Sequence, residues 1–345
     1  GADKLENDEE KAETLIRLAF ELCFKQGERL EGQQMLQRAL ELAESSGLMV
    51  TAELAHTYMA EFYFNSGDIP LAMHHTNKAI QLSRELGLAH WELFDLNLTA
   101  LYHFVLGDTL EFEKIMERCR YLVKVTEPSG PAMLDFHINE AFDCFKTREM
   151  ARGFVILRET YQLALQAQNM NRLENVVQAL SEFLIQEGEW KEAEQILTEA
   201  LRIVEEEDSF LFSCYLTRVY SLQGKLSDAR AMLEKALVHA GKDISPLNQF
   251  YLIFTKAVLA CKEQRWGEGL RYFDEAHAMV SRGGMRLFEV LILRNQAEAL
   301  IDRGESGDKA LACGILERTK SLYQEMSLPA RVKLIENRLI ELCDE

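Results

Sequence analysis

Apolar side chains along this chain recur at helical spacing, and each run ends in a short turn of one design. In Gly188-Glu189-Trp190-Lys191-Glu192-Ala193-Glu194-Gln195-Ile196-Leu197-Thr198-Glu199-Ala200-Leu201, a Gly ends one helix, where a left-handed residue costs little. A large side chain two residues later and an Ala five residues later open the next helix, and small residues at 193 and 200 let it lie close to its neighbour. This is the pattern of a helix hairpin. The same turn stands at Gly27/Gly32, Gly67/Ala72, Gly224/Ala229 and Gly304/Ala310, and in weaker form at Gly107/Phe112, Arg148/Gly153 and Gln264/Gly269.

Counted from turn to turn, the intervals are 40, 40, 41, 40, 36, 40 and 40 residues. Twelve residues after each of the first seven turns comes another small or short side chain: Ala39, Ala79, Cys119, Thr160, Ala200, Ala236 and Ala276. A fixed period of this length marks a unit that cannot bury its apolar face alone and stacks on copies of itself.

The pattern places a polar, frayed and disordered segment at 1–9 and a single repeat domain over 10–343. The first hairpin falls near 10–26 and 29–46. Asp68 is positioned to cap a helix whose first turn holds Pro70, and Ser245-Pro246 opens the seventh hairpin in the same manner. The third turn, Gly107-Asp108-Thr109, lacks the large side chain, so its packing must differ. Thr126-Glu127-Pro128-Ser129-Gly130-Pro131 is the strongest breaker and reads as a bend or soft boundary near 126–131. The 36-residue interval implies a shortened helix or loop at 205–208. A lone amphipathic helix over 329–343, with Val332, Ile335, Leu339 and Leu342 on one stripe, suits the exposed end of such a stack.

Composition narrows the partners. With 48% apolar residues and 5 Pro, the chain can bury a long helical core. Its formal net charge of −18, from 56 acidic and 38 basic residues, disfavours both a phosphate backbone and an anionic membrane surface. Seven scattered Cys with no Cys-x-x-Cys pair fit buried reduced thiols and a cytoplasmic protein better than a disulfide framework or zinc ribbon. No apolar run approaches the roughly 20 residues of a membrane span. Gly1-Ala2 reads as an expression remnant, which leaves open whether ATPase, cyclase or DNA-binding domains precede residue 1.

Candidate chemistry is sparse. Gly27-Glu28-Arg29-Leu30-Glu31-Gly32-Gln33-Gln34 has the glycine spacing of a phosphate loop, but Gln33 stands where Lys must neutralise phosphate. His74 and His75 are adjacent and therefore point about 100° apart on a helix, so they read as surface imidazoles, not as a metal pair. Trp190 and Trp266 occupy equivalent turn positions and read as packing anchors. No catalytic residue, metal ligand or cofactor is expected.

Ala60, Tyr63, Gly67, Ile69, Ala72 and Ala79, and again Leu184, Gly188, Trp190, Ala193, Ala200 and Leu201, resemble the tetratricopeptide repeat. The period is longer than that family's usual 34 residues. It is similar to the roughly 40-residue variant of MalT-like signal-transduction ATPases and cyclase-associated chains. The resemblance implies an all-α fold, a right-handed superhelical solenoid of about eight helix-turn-helix repeats plus a C-terminal capping helix. It also implies a non-enzymatic sensor or interaction arm of a larger signalling or transcription regulator, with a protein or peptide segment or a small effector as ligand. No direct nucleic-acid or membrane partner is implied, and self-association stays open. A scaffold subunit of a stable assembly is the alternative.

By register, the positions six and ten residues before each turn would line the concave face. They include Thr57 and Glu61, Asn97 and Leu101, Ile138 and Phe142, Gln178 and Glu182, Arg218, Phe254 and Arg294. Against this stands packing, since Ile138, Phe142 and Phe254 make an equally good core stripe. No repeated Lys/Asn set occupies these positions, so the carboxylate clamp of chaperone-binding relatives is not supported.

Overall fold

The computed structural model of the chain describes residues 2–26, 28–128, 130–147, 149–204, 209–240 and 244–344, and every regular element among them is a helix. Helix α1 (Ala2–Phe20) continues through a π-helical turn (Glu21–Gln26) and pairs with α2 (Arg29–Ser46). The following hairpins are α3 (Met49–Asn65) with α4 (Ile69–Glu85), α5 (Ala89–Leu106) with α6 (Thr109–Thr126), and α7 (Pro131–Thr147) with α8 (Met150–Gln166). Next come α9 (Met170–Gln186) with α10 (Trp190–Ile203), α11 (Phe210–Leu222) with α12 (Leu226–His239), α13 (Pro246–Lys262) with α14 (Trp266–Arg282), and α15 (Arg286–Arg303) with α16 (Asp308–Glu325). Helix α17 (Pro329–Asp344) closes the series. The described helices thus follow the hairpin pattern and its capping helix, an all-α helical-repeat solenoid. Helix α1 starts at Ala2, ahead of the expected start near residue 10, and Ser46 Oγ donates to Asp8 Oδ2 at 3.1 Å to hold that early turn. The turn residues Gly27 and Arg148, Ser129 of the breaker, and the loop at 205–208 lie outside the described residues.

The glycine turns work as their chemistry requires. Gly67, Gly107, Gly188, Gly224 and Gly304 hold φ between 67° and 82°, the left-handed region that a Cβ disfavours. Asp68 Oδ1 accepts from the Leu71 amide at 3.1 Å, and Ser245 Oγ accepts from the Asn248 amide at 3.1 Å, so both predicted caps form.

By compactness the chain divides into two units. The first comprises Gly1–Tyr102, Phe112–Phe136 and Ala240–Gln249, and the second His103–Glu111, His137–His239 and Phe250–Glu345. In the first unit, Ile16, Ala39, Leu40, Ala43, Ala52 and Ala55 form one buried cluster, and Ala19, Cys23, Leu36, Met59 and Phe62 another. The alanines let helix axes approach. At Gly32 approach is closer still, since a Cβ there would collide with Cys23 Sγ and crowd the Ala19 carbonyl.

In the second unit Gly269 stands against Cys261 and the Ala257 carbonyl in the same way. Its C-terminal core joins Val290, Leu293, Ala297 and Leu300 to Leu316, Leu322, Tyr323 and Met326, and then to Ile335 and Leu342 of α17. The third turn belongs to this unit and shows why it can dispense with a large side chain. Met326 fills the place, packed where a Cβ on Gly107 would sit, and its carbonyl accepts from buried Thr109 Oγ1 at 2.9 Å. Cys23, Cys119, Cys144, Cys214 and Cys261 are free buried thiols. Burial pushes the Cys23 and Cys261 thiols up to about 11, which leaves them protonated and unreactive at neutral pH.

Candidate ligand-binding face

In the first unit, the positions expected to line a groove are mostly occupied by the protein itself. Thr57 is buried and donates to Asp95 Oδ1 at 2.8 Å, while Asn97, 2% exposed, donates to the Ala132 carbonyl at 2.9 Å. Glu61 and Leu101 stay half-buried. Asp95 and Glu53 form a buried acid pair with Ser83 as an outer donor, its hydroxyl donating to Glu53 Oε1 at 2.9 Å. Burial raises both carboxyls above their ordinary range and the charge of Glu53 raises Asp95 further, so the pair holds a proton between them.

The histidines depart from the surface reading. His74 is exposed, but His75 is buried and its Nδ1 meets His56 Nδ1 at 2.8 Å, with Tyr63 stacked on its ring. Burial first, then the neighbouring imidazoles, push both rings down to about 4, so one neutral ring donates to the other. Adjacent numbering obscured this pairing because the partner lies on the preceding helix. No group of three or more metal-ligating side chains occurs among the described residues.

In the second unit the expected positions separate into two kinds. Ile138 and Phe142 are core, with Phe142 stacked on Phe104 at 4.7 Å and tilted against Phe183 at 5.8 Å. The packing alternative therefore holds for them, and for Phe254 of α13, which is fully buried. Gln178 and Glu182, by contrast, stand on one ridge of α9 that Arg218 and Arg294 approach from later helices. Gln178 Nε2 donates to Tyr251 Oη of α13 at 2.5 Å. Glu182 accepts two bonds from Arg218 of α11, at 2.8 and 3.3 Å, and Arg218 lies over the buried Phe254 ring at 4.6 Å. Arg294 Nη1 of α15 reaches Gln186 Oε1 at 3.3 Å.

Four further residues belong to this face and were not foreseen: Gln186, Glu187, Tyr215 and Tyr251. Arg331 of α17 joins them, with Nη1 donating to Glu187 Oε1 at 2.8 Å. Gln186 stands two residues before its turn and Tyr251 thirteen before its own, so the helical stripe that holds positions six and ten extends in both directions. Burial alone would raise the Glu182 carboxyl. The Arg218 charge, with bonds from Arg218, Gln186 and Tyr215, holds it below the ordinary range instead, and it stays ionised. Elsewhere in this unit, an open surface cleft of about 1130 Å³ beside α10 is lined by Trp190, Lys191, Glu194 and Lys225, and Lys225 is already paired with Glu194 at 2.7 Å.

No protein family matches the chain's sequence, and none of the curated proteins does. Among solved structures, the chain is similar to a Rap protein complexed with competence and sporulation factor, with a TM-score of 0.58 and 15% identity over 99% of both chains. It is also similar to yeast Tom70, with a TM-score of 0.51 and 13% identity over 96% of this chain, which spans 64% of that one. The fold is a tetratricopeptide-like helical repeat. In this tetratricopeptide-like chain, the ridge of α9 is the stretch of first helix to which side chains of several later helices converge. A signal-transduction ATPase with a tetratricopeptide repeat sensor from Pyrococcus horikoshii is also similar, at a TM-score of 0.49 and 13% identity over 94% of this chain and 50% of that one. No described helix is long and apolar enough to cross a membrane.

Proposed function

We propose that the chain is a protein- or peptide-binding repeat module, the sensor or interaction arm of a larger signalling or transcription regulator, and that its ligand lies along the α9 ridge of the second unit. One observation carries this reading. Polar and aromatic side chains from α11, α13, α15 and α17 converge on Gln178, Glu182, Gln186 and Glu187, which is how a repeat array presents several hairpins to one ligand. The likeness of the fold to a Rap protein solved with competence and sporulation factor supports the same reading. Recognition in this face needs no reacting group, and its one strongly held carboxylate is already paired with Arg218.

Selection of a displayed random-peptide library on the immobilised chain tests it. Peptides recovered on the wild type should bind the Gln178→Leu, Tyr251→Phe double variant at least about tenfold more weakly, or about 1.4 kcal/mol, while its helical circular dichroism is unchanged. Equal binding to both proteins would place the ligand elsewhere, and turnover of any substrate by the purified chain would replace recognition by catalysis.

A further inference from the structure

The α9 ridge carries an imbalance of charge. Three guanidinium groups, Arg218, Arg294 and Arg331, reach it from three helices, and it offers them two carboxylates, Glu182 and Glu187. The third acceptor is neutral. Arg294 makes its single hydrogen bond, at 3.3 Å, to the Gln186 amide oxygen, and among the described residues it has no carboxylate partner. The same amide is oriented by donating to Glu182 Oε1 at 3.1 Å, so Gln186 cannot do more for Arg294 than lend one oxygen.

The neighbouring arginines are also short of acceptors. Arg331 is 8% exposed and its Nη2 has no hydrogen-bond partner; Arg218 is 2% exposed and its Nε has none. A buried cationic donor left without an acceptor is costly, and such a group in a folded protein calls for an explanation, of which an absent anionic ligand is one. This happens in a chain whose overall charge is −18, so the local excess of cation runs against the composition of the whole molecule. The surrounding rings, Tyr215, Tyr251 and Phe254, lower the local dielectric and strengthen any ion pair formed beside them.

Deepening the peptide-binding reading on which it rests, we infer that the α9 ridge selects a peptide carrying an acidic side chain, whose carboxylate takes the place of the Gln186 amide against Arg294. A side chain fits better than a chain end. The protein's own acceptors here are the side chains of Glu182 on α9 and Glu187 at its C-cap, so the face already receives carboxylates projecting from a backbone and not from a chain end. A carboxylate adds an opposite charge and a second acceptor oxygen that match the planar guanidinium, neither of which the Gln186 amide oxygen provides.

The probes are two pools of random hexapeptides, acetylated and amidated at their ends, one with Glu and the other with Gln fixed at the third position. In equilibrium dialysis the wild-type chain should retain the Glu pool about tenfold more strongly than the Gln pool. Arg294→Gln should erase the preference while still retaining both pools. Gln186→Glu supplies a carboxylate to Arg294 from within, so it should also erase the preference, although it gives up the amide's bond to Glu182. Equal retention of the two pools by the wild type, or a preference that survives in Arg294→Gln or in Gln186→Glu, would each overturn the acidic-ligand inference and leave peptide binding standing. Retention of neither pool by any of the proteins would remove both.

Discussion

Gln264 and Gly188 hold equivalent turn positions with different side chains and nearly the same backbone, φ 60° and φ 82°. A Cβ at Gly188 would meet nothing within 4 Å, so the conformation alone decides what can stand there. Gly188→Ala should cost about 1 kcal/mol, and Gln264→Gly should stabilise by about 0.5 kcal/mol, because relief of the left-handed strain outweighs the added chain entropy. Urea denaturation read by circular dichroism measures both, and equal effects of the same sign would contradict the shared geometry. The buried acids give a second residue-scale expectation. Glu53 and Asp95 have folded-state values raised above their unfolded ones, so the folded chain binds more protons and the contribution of the pair falls as pH rises from the carboxylate range through neutrality. His56 and His75, held down at about 4, act in the opposite sense, contributing fully above about 6.5 and losing that contribution as pH falls toward 4. Above neutrality the acid pair goes on titrating, and near pH 9 the buried thiols, with folded values raised above their ordinary one, add to the loss in the same sense. Stability should therefore decline between pH 7 and pH 9, and Glu53→Gln, whose amide donates to ionised Asp95, should flatten that decline by about 1–2 kcal/mol. An unchanged slope in the variant would sink the shared proton.

At the scale of the helix, close approach is written as glycine or alanine five residues past the turn, and the structure shows what each faces. Gly269→Ala would drive its new methyl into Cys261 and the backbone at Ala257, and should cost about 1–3 kcal/mol, visible as a lower midpoint in thermal unfolding. Much of this level was legible beforehand because its causes are local. Left-handed glycines, the Asp68 and Ser245 caps and the 40-residue rhythm act within one hairpin, and they placed the turns correctly. Helix α1 starts earlier than its polar opening suggests because propensity outweighs polarity there: Ala2, Lys4, Leu5 and Glu6 are good helix formers, and early acids suit the positive end of the helix dipole. The packing at Thr109 could not be foreseen, since Met326, which completes that turn, lies 217 residues away.

Over the whole molecule the same distinction explains the candidate site. Register placed Gln178, Glu182, Arg218, Phe254 and Arg294 on the expected stripe, but it could not tell that Glu182 pairs with Arg218, or that Gln178, Gln186 and Glu187 bond to Tyr251, Arg294 and Arg331, because the partners are separated by 36 to 144 residues. Asn97 and Phe142 are core, so replacing them would not probe a ligand face. Glu182→Gln is a sharper probe. It leaves Arg218 buried beside a neutral amide and should destabilise by about 3 kcal/mol, little affected by added salt because the pair is shielded from solvent. Strong salt dependence of that loss would show the pair to be more solvated than its geometry indicates. Removal of residues 329–345 makes the last test, since it deletes Arg331 and uncovers Leu322 and Met326. Amide hydrogen exchange should then quicken not only in α16 but at 104–111, the segment that rests on Met326, whereas a stack coupled only between neighbours would leave that segment untouched.

That one methionine has an implication for how the second unit comes apart. A row of dominoes can be shortened from either end, one piece at a time, with the remainder standing. Here the tail reaches back and props an early corner, so trimming from the carboxyl end should make the unit fail as a block.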